Sequence, residues 1–324
     1  MASVKFVKKE SISLLEGILK EDLKKKFSPG EKIAVKLHMG EPGNKHHISV
    51  NFVKMVVKVL KELDVKCYLC DSPVMYPGQR STEAGYLKVA EKHGFKKTKA
   101  HIIISDEPVP YKTDHLDVEV IRPLVKADGM LVLSHVKGHP CSGFGGAIKN
   151  LGMGGVTKKT KKDIHSGGQP EILDNCIGCG ICAEHCFCGA IKIDSKKAHC
   201  DESRCWGCSI CTDFCPEDAM KPKVAGFDIL LAEGAYAVVK SSKKAFYINY
   251  LFDITKLCDC ASDPGPIIAK DLGVLLSDDI VAIDKASVSL INQATGKKIF
   301  LEKNKKSPSR HIKEMERLLK NDPG

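Results

Sequence analysis

The chain has 324 residues, enough for one large or two medium domains, and its 43% hydrophobic and 28% charged residues are typical of a soluble globular protein. No apolar run approaches the length that crosses a bilayer, and the first residues lack the apolar core of a signal peptide, so we expect no membrane association. The formal net charge is +10, but only 6% of residues are aromatic and no nucleic-acid-binding module is recognisable, so we expect no nucleic-acid partner.

Apolar patterning in the first half of the chain alternates between strand and helix periods. Strands are predicted over residues 3–7, 33–37, 65–70, 102–105, 118–121 and 129–134, and helices over 11–26, 50–63 and 82–93. This alternation predicts an α/β fold, with a mixed or mainly parallel sheet that carries helices on both faces. Ligands of such sheets bind beyond the carboxyl ends of the strands, which singles out the loops over residues 38–44, 71–80 and 134–155.

The third of these loops is dense in glycine and also carries histidines and lysines. Glycine lets a backbone approach a bound group, and a helix that begins after Gly146 would present its N–H groups to an anion. We predict cofactor contacts from five residues of the loop: Gly143, Gly145, Gly146, Asn150 and Gly152. His135 and His139 are candidates for proton transfer, and Lys137 and Lys149 for neutralising an anionic group.

The glycine spacing of this loop matches neither a dinucleotide-binding motif nor a P-loop. A loop built from tight turns, with ordinary hydrogen-bonded histidines, is therefore the alternative interpretation. Just after it, four lysines crowd positions 158, 159, 161 and 162. They indicate either a solvated basic face or a docking patch for an acidic redox partner or an anionic small molecule.

Residues 176–216 contain the most specific pattern in the chain. Two runs of the form C-x2-C-x2-C-x3-C follow one another, Cys176-Ile-Gly-Cys179-Gly-Ile-Cys182-Ala-Glu-His-Cys186 and Cys205-Trp-Gly-Cys208-Ser-Ile-Cys211-Thr-Asp-Phe-Cys215-Pro216. In this pattern three thiolates hold one [4Fe–4S] cubane and the fourth reaches the other cubane. We assign one set of ligands to each cluster: Cys176, Cys179, Cys182 and Cys215 to the first, and Cys205, Cys208, Cys211 and Cys186 to the second. Zinc sites use two C-x2–4-C pairs and fit this spacing poorly.

Over residues 168–224 the chain resembles bacterial-type ferredoxins with two clusters, which implies a small α+β domain. It departs from the pattern at Phe187, which stands where Pro216 stands in the second run. Cys188 and Cys200 are left over, and we interpret them as small buried hydrophobic residues rather than redox groups. We therefore predict an α/β domain formed by residues 1–167 and 225–324, interrupted by an inserted ferredoxin-like domain over 168–224.

The strand and helix pattern resumes after the cysteine-rich segment. Strands are predicted over residues 227–231 and 246–254, helices over 233–239 and 280–292, a flexible basic stretch over 303–306 and a surface helix over 308–320. Between them lies Cys258-Asp259-Cys260, whose side chains could bind a cofactor or metal or carry thiol chemistry. A polar turn with two partly buried thiols is the alternative.

Several separate motifs outside the cysteine-rich segment resemble one family, the domain of unknown function 362. They are Lys36-Leu-His-Met-Gly40-Glu41-Pro-Gly43-Asn44, the loop over residues 134–155, and the turn over residues 253–263 followed by Asp279-Ile-Val-Ala-Ile-Asp284-Lys-Ala-Ser287. The family is often fused to ferredoxin modules in anaerobic bacteria and archaea, and no reaction is assigned to it. The resemblance implies that the glycine-rich loop, the Cys258–Cys260 turn and Asp284 meet in one pocket, which adds Asp284 to the candidate catalytic residues.

These observations favour an iron–sulfur oxidoreductase in which electrons pass through two [4Fe–4S] clusters to a substrate or second cofactor at the α/β pocket. One alternative is a non-enzymatic electron-transfer subunit with a docking domain. Another is a metal- or cofactor-dependent enzyme with structural or sensory clusters, whose separate metal would take ligands from His135, His139, His165, Cys258, Asp259 and Cys260. A flavin or a further metal stays open as an additional cofactor, although no flavin fingerprint or complete metal-ligand set supports either.

The predicted clusters also bear on location and partners. Thiolate clusters favour a reducing interior, so we expect a cytoplasmic protein, in keeping with an anaerobic physiology. A soluble redox partner such as a ferredoxin is expected to supply or receive the electrons. We expect a homodimer, since two-fold dimers are the commonest soluble assemblies.

Overall fold

A seven-stranded sheet forms the centre of the chain in a computed structural model that describes residues 3–322. In spatial order its strands are Lys5–Lys8, Gly273–Ser277, Ala245–Leu251, Gly129–His135, Lys32–Lys36, Lys66–Asp71 and His101–Ile104. The five strands from Ala245–Leu251 onward are parallel, whereas Gly273–Ser277 is antiparallel to both of its neighbours. The predicted α/β class with a mainly parallel sheet is therefore confirmed.

Helices cover both faces of this sheet, because alternate residues of each strand point to opposite sides. Ile33 and Val35 face a core covered by the helices Leu15–Lys26, Val50–Glu62 and Glu83–Lys92. Ala34 faces a second core covered by the helices Ala147–Gly154, Lys158–Gly167, Phe227–Lys240, Ile280–Thr295 and Ser309–Lys320. Hydroxyl and carboxyl side chains fix several helix starts: Thr82 accepts from the Gly85 N–H, and Asp279 accepts from two N–H groups.

Short elements complete the α/β part. They are the hairpins Pro108–Lys112 with Asp117–Ile121, Lys137–His139 with Gly143–Gly145, and Ile254–Thr255 with Ile267–Ala269, together with the helices Arg122–Val125 and Ile299–Asn304. The strand expected over residues 118–121 thus pairs locally and does not join the large sheet. None of the helices within residues 3–322 is long and apolar enough to span a membrane.

The predicted strand over residues 227–231 is wrong. Residues Phe227–Lys240 form one helix, and most of its side chains are buried between the Ala147–Gly154 and Ser309–Lys320 helices. A helix that is covered on nearly all sides needs no polar face, so its apolar run looks like a buried strand in the sequence.

The C-terminal predictions also need correction. The stretch over residues 303–306 was expected to be flexible, but the side chain of Lys306 is buried and its Nζ pairs with Asp228 at 2.8 Å. The Ser309–Lys320 helix is not a surface feature alone, because His311, Ile312, Met315 and Leu318 are buried against the Phe227–Lys240 helix and its surroundings. A buried lysine requires such a partner, and only the fold can supply one.

The cysteine-rich segment forms a small unit between the Lys158–Gly167 and Phe227–Lys240 helices. Its elements are the paired strands Pro170–Ile172 with Met220–Pro222 and Ile191–Asp194 with Lys197–Cys200, and the one-turn helices Ile181–Glu184 and Ile210–Asp213. Its own small core contains Cys182, Ile191, Ala198, Cys211 and Met220.

Candidate functional site

The loops at the carboxyl ends of the sheet strands lie against one another, and a buried lysine joins them. Lys36 is the last residue of its strand, and its Nζ lies 3.0 Å from Asp71 Oδ1 and donates to Asn150 Oδ1 at 2.7 Å. A Cβ on Gly154 would stand 2.3 Å from this nitrogen and 2.7 Å from Asp71 Oδ1, so a larger residue there would push the Lys36–Asp71 pair aside. Asn150 therefore binds the neighbouring loop, and Lys36 is a site residue that the pattern of the strand did not reveal.

A second buried charge, Arg80, holds the first two loops together. The Arg80 side chain is only 1% exposed. Its Nε pairs with Glu41 Oε2 at 2.8 Å, and its Nη2 donates to the Tyr76 hydroxyl at 2.9 Å. Its Nη1 contacts the His38 ring. Burial, together with the charge of Arg80, lowers the pKa of His38 well below its usual range, so the ring is neutral. Arg80 was not among the predicted residues, although an arginine in a loop at this sheet edge is a recognisable signal.

Asp259 pairs with two of the predicted residues. Its Oδ2 lies 3.0 Å from His135 Nδ1, and its Oδ1 lies 3.0 Å from Lys137 Nζ. Burial alone would raise the pKa of Asp259, but the charge and hydrogen bond of His135 and the charge of Lys137 lower it well below its usual range. His135 Nε2 also faces the Phe252 carbonyl at 2.7 Å, so both ring nitrogens have acceptors. The structure thus brings together the glycine-rich loop and the Cys258–Cys260 turn.

Cys258 and Cys260 form a disulfide beside the same loop, with 5.3 Å between their Cα atoms. Lys149 Nζ donates to Cys258 Sγ at 3.7 Å, and burial lowers the pKa of Lys149 to about 8. A ring nitrogen of His139 and the two sulfur atoms all lie within 4.8 Å of one another, which makes this trio a candidate metal site within residues 3–322.

The hydrogen bonds of His139 do not fit a metal ligand. Its Nδ1 accepts from the backbone N–H groups of Cys141 at 3.2 Å and Ser142 at 3.3 Å, so the neutral ring carries its proton on Nε2. Burial lowers the pKa of His139 well below its usual range and thereby favours this neutral form. With one lone pair engaged and the other nitrogen protonated, the ring offers no free lone pair to an ion.

The remaining predicted residues of the loop have partners within the chain. Asp284 accepts from the Ala147 N–H at 2.8 Å and the Ile148 N–H at 3.0 Å, and therefore caps the Ala147–Gly154 helix that was expected to face an anion. At three of the glycines an added Cβ would lie 2.3 Å from another atom of the chain. The atom is the Lys306 carbonyl oxygen for Gly143, Asp284 Oδ1 for Gly146 and the Leu231 carbonyl oxygen for Gly152. Gly145 lies against the Lys149 side chain. Internal packing accounts for these glycines, and their contacts with a cofactor stay predictions.

The first set of cysteines surrounds one space in the small unit. Cys176, Cys179, Cys182 and Cys215 all line one narrow pocket that is partly open to solvent. Two of the sulfurs accept from backbone N–H groups, Cys176 from Ala198 at 3.5 Å and Cys215 from Ala219 at 3.2 Å. Four cysteines from two separate runs of the sequence therefore line a common space.

The second set lies on the side of the unit that contacts the α/β part. The Cys186 sulfur accepts from the Ala190 N–H at 3.3 Å, and the Cys205 sulfur from the Gly207 N–H at 3.4 Å. The two leftover cysteines also lie here: Cys188 Sγ is 3.6 Å from Cys186 Sγ, and a hydrogen bond from Cys200 lowers the pKa of Cys205 to about 7. Both are half-buried and adjoin predicted ligands, and Cys200 also packs against the small core of the unit.

The basic residues before this unit do not all reach the surface. Lys161 is buried, and its Nζ donates to Ser72 Oγ at 2.5 Å and to the carbonyl groups of Pro73 and Val156. Burial lowers the pKa of Lys161 to about 7. His165, proposed as a ligand of a separate metal, instead contacts the Trp206 carbonyl at 2.7 Å, and no hydrogen bond or ion pair of the described residues joins it to His139 or Cys258.

Most of the sequence is similar to one known protein family. The sequence profile of a family described as "Domain of unknown function (DUF362)" matches residues 33–289. No curated protein sequence matches the chain.

Two solved structures resemble the fold at low identity. A Thermotoga maritima protein determined by the Northeast Structural Genomics Consortium has a TM-score of 0.45 and 10% identity, over 87% of this chain and 59% of that one. The lactate racemase apoprotein from Thermoanaerobacterium thermosaccharolyticum has a TM-score of 0.36 and 16% identity, over 74% of this chain and 49% of that one. The chain thus spans less than two thirds of the length of either structure.

Proposed function

The chain belongs to the family described as domain of unknown function 362, and on that premise we propose that it is an iron–sulfur redox protein. In this proposal residues 168–224 form an inserted ferredoxin-like domain that holds two [4Fe–4S] clusters. Electrons pass through them to the pocket where Lys149, His139 and the Cys258–Cys260 turn meet, which makes the protein an oxidoreductase in the reducing cytoplasm.

One observation carries the proposal: Cys215 lines the same cavity as Cys176, Cys179 and Cys182. Cys215 belongs to the second run in the sequence, so its position supports the exchange of the fourth ligand between runs that two-cluster ferredoxins use. A zinc interpretation has no need of this exchange, because zinc takes its ligands as local pairs.

The backbone around the sulfurs also fits bound clusters. Cys186 and Cys215, the fourth residues of their runs, each accept from an alanine N–H four residues onward, at 3.3 and 3.2 Å. Such N–H groups stabilise the negative charge of a thiolate and of the cluster it holds. The two runs therefore provide equivalent electrostatic support as well as equivalent spacing.

The route toward the pocket follows a bridge formed by residues 304–306. Lys306 Nζ donates to the Cys208 carbonyl at 2.6 Å, and the Lys306 carbonyl packs directly on Gly143 of the glycine-rich loop. The Asn304 amide donates to the Gly143 carbonyl at 3.1 Å and the Lys256 carbonyl at 3.4 Å. This segment thus contacts the second cysteine set, the glycine-rich loop and the chain just before Cys258.

The opposite end of the unit suits a redox partner. Cys179 is exposed, and the neighbouring Ile177 is 58% exposed. The first cluster would therefore exchange electrons with a soluble partner of the ferredoxin class, and the second would face the pocket. When bound, the clusters supply one-electron transfers, whereas the packing of this chain decides which cluster adjoins which surface.

The test uses protein purified without oxygen, with iron and sulfide assays and electron paramagnetic resonance. We expect about eight irons per chain, and about half the iron together with the loss of one cluster signal in Cys215→Ala. Cys67→Ser, which alters a strand cysteine outside the unit, is the matched control and should keep all the iron. Zinc in place of iron, or an unchanged cluster signal in Cys215→Ala, would contradict the proposal.

A further inference from the structure

Cys258 and Cys260 are not predicted cluster ligands, yet they lie where the bridge of residues 304–306 ends. Their sulfurs are bonded to each other, Cys258 is buried and Cys260 is half-buried. The turn that carries them follows the Ala245–Leu251 strand, so the pair lies beyond the carboxyl end of a central parallel strand. This is the position at which α/β proteins place reacting groups.

The surroundings of the pair favour sulfur in its anionic form. Lys149 Nζ lies 3.7 Å from Cys258 Sγ. The positive charge of Lys149 favours a thiolate at Cys258. The negative charge of Asp259, between the two cysteines, is already balanced by His135 and Lys137 at 3.0 Å each. His139 adds an N–H on its ring and no free lone pair, which suits hydrogen bonding to sulfur better than metal binding.

We propose that Cys258 and Cys260 form a redox-active dithiol–disulfide pair that collects two electrons and passes them to a disulfide substrate. The inference rests on the proposed function for the source of its electrons. A [4Fe–4S] cluster releases one electron at a time, so a thiol pair that residues 304–306 connect to the second cysteine set would store the two electrons that a substrate needs.

The chemistry balances with residues of the chain. Two electrons break the Cys258–Cys260 bond; the Cys258 sulfur remains a thiolate paired with the Lys149 ammonium group, and the Cys260 sulfur takes one proton from solvent. In the return step Cys260, deprotonated again, attacks one sulfur of the substrate disulfide and releases the first thiol. The Cys258 thiolate then attacks Cys260, which releases the second thiol and restores the bond. The net reaction consumes two electrons and two protons for each substrate disulfide.

The difference in exposure assigns the two roles. Cys260 is the more exposed of the two, whereas Cys258 is buried against Lys149. Thiol–disulfide exchange needs access for the attacking sulfur, while the resolving sulfur needs only its neighbour. Cys260 is therefore the sulfur that meets the substrate.

The experiment titrates oxygen-free protein with dithionite and then maps thiols by alkylation and mass spectrometry. We expect the peptide with Cys258 and Cys260 to stay unalkylated in oxidised protein and to carry both alkyl groups after reduction. Wild-type protein should accept about four electrons, two for the clusters and two for the pair. The reduced, desalted protein should then release about four thiols from bis(2-hydroxyethyl) disulfide per chain, because the two cluster electrons reload the pair for a second turnover.

The matched variants are the double substitution Cys258→Ser with Cys260→Ser, and Cys67→Ser as the control. The double variant should keep its clusters but accept about two electrons and release no thiol, while the control should behave like wild type. Equal alkylation of the peptide before and after reduction, or an equal electron count in the double variant, would overturn the inference. Failure of the proposed iron–sulfur function gives a different result from failure of this inference. The protein would then lack iron, while alkylation of the Cys258–Cys260 peptide would still increase after treatment with dithiothreitol.

Discussion

The two halves of the cysteine-rich segment repeat one sequence pattern but lie in different surroundings. Gly180 in the first half and Ser209 in the second hold equivalent positions, and both adopt positive φ, 83° and 57°. Around Gly180 a Cβ would meet nothing within 4 Å. Ser209 is buried, and its hydroxyl donates to the Gly168 carbonyl at 2.9 Å and accepts from the Phe227 N–H at 3.0 Å.

Because of this difference, the two halves of the repeat have different neighbours although their cysteine spacing is the same. The first half is open at Gly180, whereas the second is attached to the Lys158–Gly167 and Phe227–Lys240 helices. Gly207 packs so closely on the His165 carbonyl that a Cβ there would lie 1.7 Å away, while the equivalent Gly178 contacts only the hairpin of its own unit. The second half of the cysteine pattern is thus attached to the α/β part through Gly207 and Ser209.

Lys306 provides the strongest test of this asymmetry, because it is a buried cation beside the second half only. In Lys306→Met, Asp228 loses its partner at 2.8 Å and keeps the His311 ring nitrogen at 3.5 Å, so we expect the free energy of unfolding to fall by about 3 kcal/mol. If the proposed clusters are bound, loss of the positive charge should also lower the reduction potential of the second cluster and leave that of the first unchanged. Denaturation and potentiometric titration would measure both effects, with the exposed Lys303→Met as the control. Equal shifts of both potentials would contradict the asymmetry.

Replacement of the two equivalent turn residues compares the halves directly. Ser209→Gly relieves a strained φ but removes two buried hydrogen bonds, so we expect a net loss of about 1–2 kcal/mol in unfolding free energy. Gly180→Ser introduces only the strain of a positive φ in open space and should cost about 1 kcal/mol or less. Urea denaturation of both variants measures the difference; a larger loss in Gly180→Ser would refute the docking of the second half.

The Lys158–Gly167 helix contacts the second half, and one of its lysines should make the free energy of unfolding depend on pH. Burial lowers the pKa of Lys161 to about 7, whereas the unfolded chain keeps an ordinary value of about 10.4. Between these values the unfolded state binds more protons, so stability rises with pH, by at most about 1.4 kcal/mol per pH unit for this lysine. In Lys161→Met this part of the slope should vanish, although lost hydrogen bonds lower stability overall. Lys162→Met, at an exposed neighbour, should retain the wild-type slope in denaturation between pH 7 and 10.

The smallest effect is expected at the exposed side of the first half. Ile177→Glu should slow electron uptake from a ferredoxin-type donor by about tenfold, since apolar contact area at a docking surface is lost and a charge is added. Cluster content and stability should stay as in wild type. Trp206→Glu changes an exposed aromatic residue of the second half and should affect the rate less. Stopped-flow measurement of both variants would show which half meets the donor, and a slower Trp206→Glu would reverse the assignment.

Much of the fold was determined by the sequence alone. Periodic apolar residues predicted the alternating strands and helices of the first half and the helix that begins near Ile280, because the strands alternate between two cores and these helices each bury one face. The motifs around Gly40, His139 and Asp284 correctly indicated the family, which the profile match over residues 33–289 confirms. The fully buried Phe227–Lys240 helix was misassigned because a helix without a polar face has no distinguishing period.

Only the tertiary structure decided which polar side chains meet. The sequence placed His135, Lys137 and Lys149 in one loop. It did not show that Asp259 pairs with His135 and Lys137, or that Lys149 contacts Cys258. Nor did it indicate that Lys36, Arg80 and Lys306 are buried cations, since each is compensated by residues distant in the chain. The spacing of residues fixes local periodicity and ligand patterns, whereas the compensation of a buried charge depends on partners that come together only on folding.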